Sequence, residues 1–155
     1  MLKFVTRSEA DTMRFAGRLA EMLAAGNTVL LHGDLGAGKS VFARGVARGV
    51  GIQGAMPSPT FTLLIPYEGR CKLYHFDLYR LNDPDEFYAA GLEEFIGGDG
   101  IALVEWPEMA ELEVDRCLDV KIERGEDMDT RVICVENDGV AGFDADALAE
   151  WRAEN

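Results

Sequence analysis

Residues 28–48 limit the folds open to this chain more than any other stretch. The apolar run Thr28-Val29-Leu30-Leu31 leads into Gly33-Asp34-Leu35-Gly36-Ala37-Gly38-Lys39-Ser40, and Val41 to Arg48 then carries helical spacing. The order is strand, glycine-rich loop, helix. Phosphate is held best by backbone N–H groups that curl around it, and only glycine lets the chain turn that closely without a Cβ clash. Gly33, Gly36 and Gly38 meet that need, with Asp34, Leu35, Ala37 and Val41 completing the candidate cradle. Lys39 is spaced to reach the β- and γ-phosphates of a nucleotide. Ser40 offers a hydroxyl to Mg²⁺, and the helix that begins here turns its positive end toward the anion. The chain's own residue frequencies give about 0.003 chance occurrences of the pattern. A dinucleotide fingerprint fits poorly, because Val41 stands where a third glycine is required and Lys39 has no role in it.

A length of 155 residues suits one domain spanning 1–155, with a sheet covered by helices on both faces. Charged residues follow Met1 to Val5 at once and no apolar run reaches membrane-spanning length, so a cytoplasmic protein with no membrane contact is expected. Cys71, Cys117 and Cys134 are odd in number, far apart and set in apolar runs, which reads as reduced core residues. The net charge of −13 is unevenly spread: residues 1–81 carry +4 and residues 82–155 carry −17. A chain that binds DNA or RNA on its own needs the opposite balance, since phosphate contacts supply most of the affinity. The acidic half is either a solvated face or a docking surface for a basic protein.

Along the chain, Leu2 to Val5 reads as a strand, and Ser8 with Asp11 as a capping box that opens a helix with Phe15, Ala16 and Leu19 on its apolar stripe. Residues 61–76 read as a hairpin whose first strand ends at Pro66 and whose turn lies at Glu68-Gly69-Arg70. Asp83 and Pro84 signal a helix start, and Gly97 to Gly100 a loop. Ile101 to Val104 is apolar on both faces, as a central buried strand must be. A short helix is expected through Leu112. Leu118 to Glu123 and Arg131 to Glu136 alternate as antiparallel edge strands do, and Ala145 to Arg152 forms a final amphipathic piece.

A Mg²⁺–nucleotide site needs a second acidic anchor, commonly at the carboxyl end of the strand beside the loop strand. Glu105 follows a run with no polar residue and is the better metal ligand. Asp77 follows a run containing Tyr74 and His75 that looks half exposed, which leaves it to orient the attacking water. Thr60 is either a phosphate-sensing loop residue or a turn hydroxyl beside Pro59. Arg80 either neutralises charge at the γ-phosphate or pairs with an acid. Trp106 is either core or a stacking surface, and His32 and His75 read as structural.

The glycine-rich loop, Ser58-Pro59-Thr60-Phe61, His75-Phe76-Asp77-Leu78-Tyr79-Arg80 and Glu105-Trp106-Pro107-Glu108 occur together in this order. The set resembles the TsaE (YjeE) family of small bacterial ATPases over nearly all of the chain through residue 108. The resemblance implies a P-loop NTPase-like three-layer α/β fold, with a central, mostly parallel sheet and antiparallel edge strands. It implies ATP and Mg²⁺ as ligands, and a role in the threonylcarbamoyl modification of adenosine 37 of tRNA. There the protein joins TsaB and TsaD, and meets tRNA only through that complex. It assigns Lys39 and Ser40 to phosphate and Mg²⁺, Glu105 to the metal, Asp77 to a carboxylate needed for activity, Thr60 to a switch-like loop and Trp106 to an aromatic beside the site. An adenine pocket is implied near Thr6 and Ser8. A small-molecule kinase shares the loop but closes an arginine-bearing lid, for which residues 109–130 supply only Arg116 and Arg124.

Overall fold

A computed structural model describes residues 1–57 and 63–153 of the chain. Its elements are β1 (Leu2–Thr6), α1 (Glu9–Ala20), β2 (Thr28–His32), α2 (Lys39–Val50), β3 (Leu64–Glu68), β4 (Lys72–Asp77), α3 (Pro84–Ala89), β5 (Gly100–Glu105), β6 (Cys117–Arg124) and β7 (Arg131–Asp138). Short 3₁₀ turns cover Leu92–Phe95, Pro107–Ala110 and Ala145–Trp151.

The start signals read from sequence operate as expected. Ser8 caps α1 by accepting from the Asp11 N–H at 3.0 Å, and the Asp11 carboxylate reaches back to the N–H of Arg7. Asp83 caps α3 ahead of Pro84, accepting from the Asp85 N–H at 2.9 Å.

All seven strands form one sheet in the order β1-β7-β6-β2-β5-β4-β3. The middle pairs β6–β2, β2–β5 and β5–β4 are parallel, and β1–β7, β7–β6 and β3–β4 are antiparallel. Alternate residues of the central strands serve two cores. Val29, Leu31, Ile101 and Leu103 pack with Phe15, Leu19, Phe42 and Val46 of α1 and α2. Leu30, Ala102 and Val104 pack with Phe87 of α3 and Ala110 on the other side. β5 is buried along its whole length, as its unbroken apolar run requires.

Several expectations need correction. β6 and β7 are interior to the sheet; the edges are β1 and β3. The alternation along β6 and β7 records a sheet covered on one face and wet on the other, a pattern that antiparallel strands show wherever they lie. Pro66 sits inside β3, opposite Tyr74. An edge strand tolerates a residue without an N–H because one of its sides has no ladder to complete. Finally, β4 is an interior strand with Leu73, Tyr74, His75 and Phe76 all buried. Two of its polar groups are paired: the Tyr74 hydroxyl donates to Asp99 at 2.7 Å, and His75 Nε2 lies 2.7 Å from Glu105. Gly100 also belongs to β5 instead of the preceding loop. Cys117 is buried, whereas Cys71 and Cys134 are only half-buried; all three are free thiols.

α1 and α2 cross where Gly17 meets Gly45 and Gly49. A Cβ at Gly45 would stand 2.6 Å from the Met13 carbonyl oxygen and 2.7 Å from the Ala16 methyl. Backbone cannot yield there without moving a helix. Gly45→Ala is therefore expected to lower stability by about 1–2 kcal/mol in urea unfolding, with overpacking outweighing the gain in helix propensity.

Candidate active site

The glycine-rich loop leaves the carboxyl end of β2 and enters α2 at Lys39. Gly38 adopts φ 107°, ψ 17°, a left-handed conformation that strains any other residue, and no side chain caps the helix behind it. The first N–H groups of α2 have no intrahelical acceptor and are open to an anion. At Gly33 a Cβ would come within 2.8 Å of the Ile122 carbonyl oxygen, so the loop's first residue is pressed against β6. Two arginines from distant strands pin the loop from outside: Arg131 Nε donates to the Ala37 carbonyl at 2.8 Å and Arg124 to the Gly36 carbonyl at 3.3 Å. Nothing near either arginine in sequence signals this role.

Lys39 is 6% exposed. Its ammonium donates to the Gly33 carbonyl and rests 3.6 Å from the centre of the Trp106 ring. Burial pulls its pKa down, against the opposing pull of Glu105, Asp77, Glu108 and Asp34. Trp106 is thus a platform for the lysine, half-buried against the second core. It takes φ 57°, ψ 49° at the start of the 3₁₀ turn Pro107–Ala110, a conformation uncommon for a residue with a side chain, and its ring meets Tyr79 at 4.9 Å.

The carboxylates converge because the sheet is parallel here. Leu31 at the end of β2 pairs with Glu105, and Glu105 pairs with Asp77. Both acids stand at the carboxyl edge of the sheet beside the loop, the place where open α/β sheets bind ligands. Glu105 is 9% exposed. Asp77 accepts the Tyr79 N–H at 3.1 Å. Burial is the first cause that pushes the Asp77 carboxyl above its ordinary range; Glu105 adds to it, while the Tyr79 N–H, His75 and Lys39 pull it down.

A cavity of about 450 Å³ brings these groups together: Lys39, Ser40, His75, Asp77, Arg80, Glu105 and Trp106 all line it. His75, read from sequence as structural, is thus part of the site. His32 is not: its ring is held between Glu108 at 3.2 Å and Asp119 at 2.6 Å. Thr60 lies outside the described residues. On the other flank of the loop a second cavity of about 240 Å³ is lined by Glu9, Thr12, Gly38, Val41, Met128 and Arg131, next to the Thr6 and Ser8 region. Among the described residues no cluster of three or more His, Cys, Asp or Glu side chains can hold a metal by itself. A hydroxyl and one or two carboxylates suit Mg²⁺, which keeps several waters and takes other oxygens from a bound phosphate. The residues present fit that ion.

These features define a class: a mixed α/β protein whose single, centrally parallel sheet carries a glycine-rich strand–loop–helix unit and two acids at its carboxyl edge. Comparison with known proteins gives the family. The family model described as "Threonylcarbamoyl adenosine biosynthesis protein TsaE" matches residues 6–133. The chain is 44% identical over 107 residues to the tRNA threonylcarbamoyladenosine biosynthesis protein TsaE of Treponema pallidum, covering 69% of this chain and 79% of that one. It is 38% identical over 132 residues to the protein of that name from a Nostoc species, covering 82% and 81%. The crystal structure of Bacillus subtilis YdiB superposes with a TM-score of 0.76 at 33% identity, over 96% of this chain and 92% of that one. The chain belongs to the TsaE family, whose members take part in the threonylcarbamoyladenosine modification of tRNA. Among the described residues no helix is long and apolar enough to cross a membrane.

Proposed function

We propose that this chain is a P-loop NTPase-like domain, spanning residues 1–155, that hydrolyses Mg²⁺–ATP as the accessory subunit of a TsaB–TsaD assembly making threonylcarbamoyladenosine in tRNA. The observation that carries the reading is the meeting of Lys39, Ser40, Asp77 and Glu105 in one cavity at the carboxyl ends of β2, β4 and β5. The amides from Gly33 to Val41 cradle the phosphates, and Lys39 exchanges the Gly33 carbonyl and the Trp106 face for phosphate oxygens. Ser40 and Glu105 hold the metal. Bound Mg²⁺ supplies charge neutralisation across the β- and γ-phosphates. Asp77, beside Glu105 at the carboxyl edge of the sheet and with its carboxyl pushed up by burial, orients the attacking water. Thr60 is assigned to the loop that senses the γ-phosphate. The protein works in the cytoplasm and meets tRNA only through its partners, in keeping with its net charge of −13.

The test is ATP turnover by the purified chain with and without TsaB, TsaD and tRNA. Slow turnover alone, rising on assembly, is the expected outcome, because part of a catalytic arrangement can come from a partner. Turnover that yields a stoichiometric phosphorylated acceptor instead of free phosphate overturns this reading in favour of a small-molecule kinase. Equal use of ATP and GTP contradicts the proposal of ATP as the nucleotide.

A further inference from the structure

Among the described residues, the His75–Glu105 pair is a buried polar contact of the site that the scheme above leaves unused. His75 faces Leu103 across the β4–β5 ladder, so its side chain reaches Glu105 on the diagonal, two residues further along β5. The contact is 2.7 Å from Nε2 to one carboxylate oxygen, with the His75 side chain 5% and that of Glu105 12% exposed. His75 Nδ1 is buried and has no hydrogen-bond partner among the described residues.

These two facts fix the donor. A buried N–H without an acceptor is costly, whereas an unfilled lone pair is a smaller loss. The ring hydrogen therefore belongs on Nε2, which donates it to Glu105, and Nδ1 carries only the lone pair. A carboxylate taken this far out of water needs a donor to remain in one orientation. Ser40 stands across the same cavity, so the orientation of Glu105 decides whether the two can share an ion.

We infer that His75 is a positioning residue for the metal site: by donating from Nε2 it locks one oxygen of Glu105 and leaves the other for Mg²⁺ beside Ser40. The inference rests on the ATPase reading above. It gives the histidine two residues before Asp77 a task distinct from that of Asp77. His75 does not touch nucleotide or metal; it acts through Glu105. Carboxylates that ligate metals are commonly oriented in this way, and loss of the orienting partner typically costs about 10- to 100-fold in metal affinity.

The experiment measures Mn²⁺ binding to the complex of the full chain with ADP by electron paramagnetic resonance. ADP affinity without metal and thermal melting are followed alongside. The wild type and Glu105→Gln are measured first: tight Mn²⁺ binding by the former and weakened binding by the latter establish the site. His75→Gln places an amide nitrogen near the position of Nε2, whereas the amide of His75→Asn reaches only as far as Nδ1. His75→Asn is expected to weaken Mn²⁺ binding about 10- to 100-fold with metal-free ADP affinity unchanged, and His75→Gln to restore most of it. Wild-type Mn²⁺ affinity in His75→Asn, with melting alone affected, reduces the pair to a core contact and overturns the inference while leaving the ATPase reading intact. Equal losses in the Asn and Gln variants also overturn it, because donation from the Nε2 position then has no part. A wild type that binds no Mn²⁺ with ADP removes both readings together.

Discussion

Asp77→Asn is expected to cut ATP turnover of the assembled system by about 100- to 10,000-fold, the usual contribution of a positioned base, while making the nucleotide-free protein more stable at pH 7. The two effects have one origin. Burial raises the Asp77 carboxyl above the value it has in the unfolded chain, and repulsion from Glu105 adds to this. A folded pKa above the unfolded one means that the ionised group opposes folding. The opposition is complete at pH above the folded pKa. It fades as pH falls through that value and is gone below the ordinary 3.8, where both states are protonated. Asparagine removes the charge and keeps an oxygen able to accept the Tyr79 N–H, which lies 3.1 Å from Asp77 Oδ1. The melting temperature of Asp77→Asn should therefore exceed that of the wild type at pH 7, with the difference shrinking toward pH 4. Unchanged turnover would remove Asp77 from catalysis; a lower melting temperature at pH 7 would show that its pairing outweighs its desolvation.

Lys39→Ala is expected to weaken Mg²⁺–ATP binding by at least about 100-fold, since charge-assisted hydrogen bonds to phosphate contribute about 1.5–3 kcal/mol each and 1.4 kcal/mol is tenfold. The loss goes beyond a contact. Lys39 is one of the groups that pull the Asp77 carboxyl down, so its loss leaves the charges of Asp77 and Glu105 less compensated and the site repels phosphate more strongly. Binding isotherms for wild type and variant decide the matter. An affinity within threefold of wild type would mean that the loop amides alone hold the nucleotide.

What could be read from residues alone was whatever depends on neighbours in sequence. The Gly33–Ser40 loop, the caps at Ser8 and Asp83 and the burial of β5 are local patterns, and all appear where expected. The interior place of β4 is not legible because Tyr74 and His75 look like surface residues until Asp99 and Glu105, 25 and 30 positions away, pair with them. The interior position of β6 was hidden for a related reason. Its alternation reports which face is wet, and says nothing about which strands flank it. Arg124 and Arg131 grip the loop across 88 and 94 positions, and Trp106 supports Lys39 from the carboxyl end of β5. Such contacts exist only once the sheet order is known. Within the site, the acids were legible as strand ends; the histidine that pairs with Glu105 was not.

The claim that a triphosphate sits on the loop amides, with a metal held between Ser40 and Glu105, is tested most directly by calorimetric titration of the purified chain with Mg²⁺–ATP. The account predicts saturable heat at one site per chain, much weaker binding of AMP, and loss of the heat in Lys39→Ala. No heat from Mg²⁺–ATP at high protein concentration, with TsaB and TsaD absent and again with them present, would contradict it.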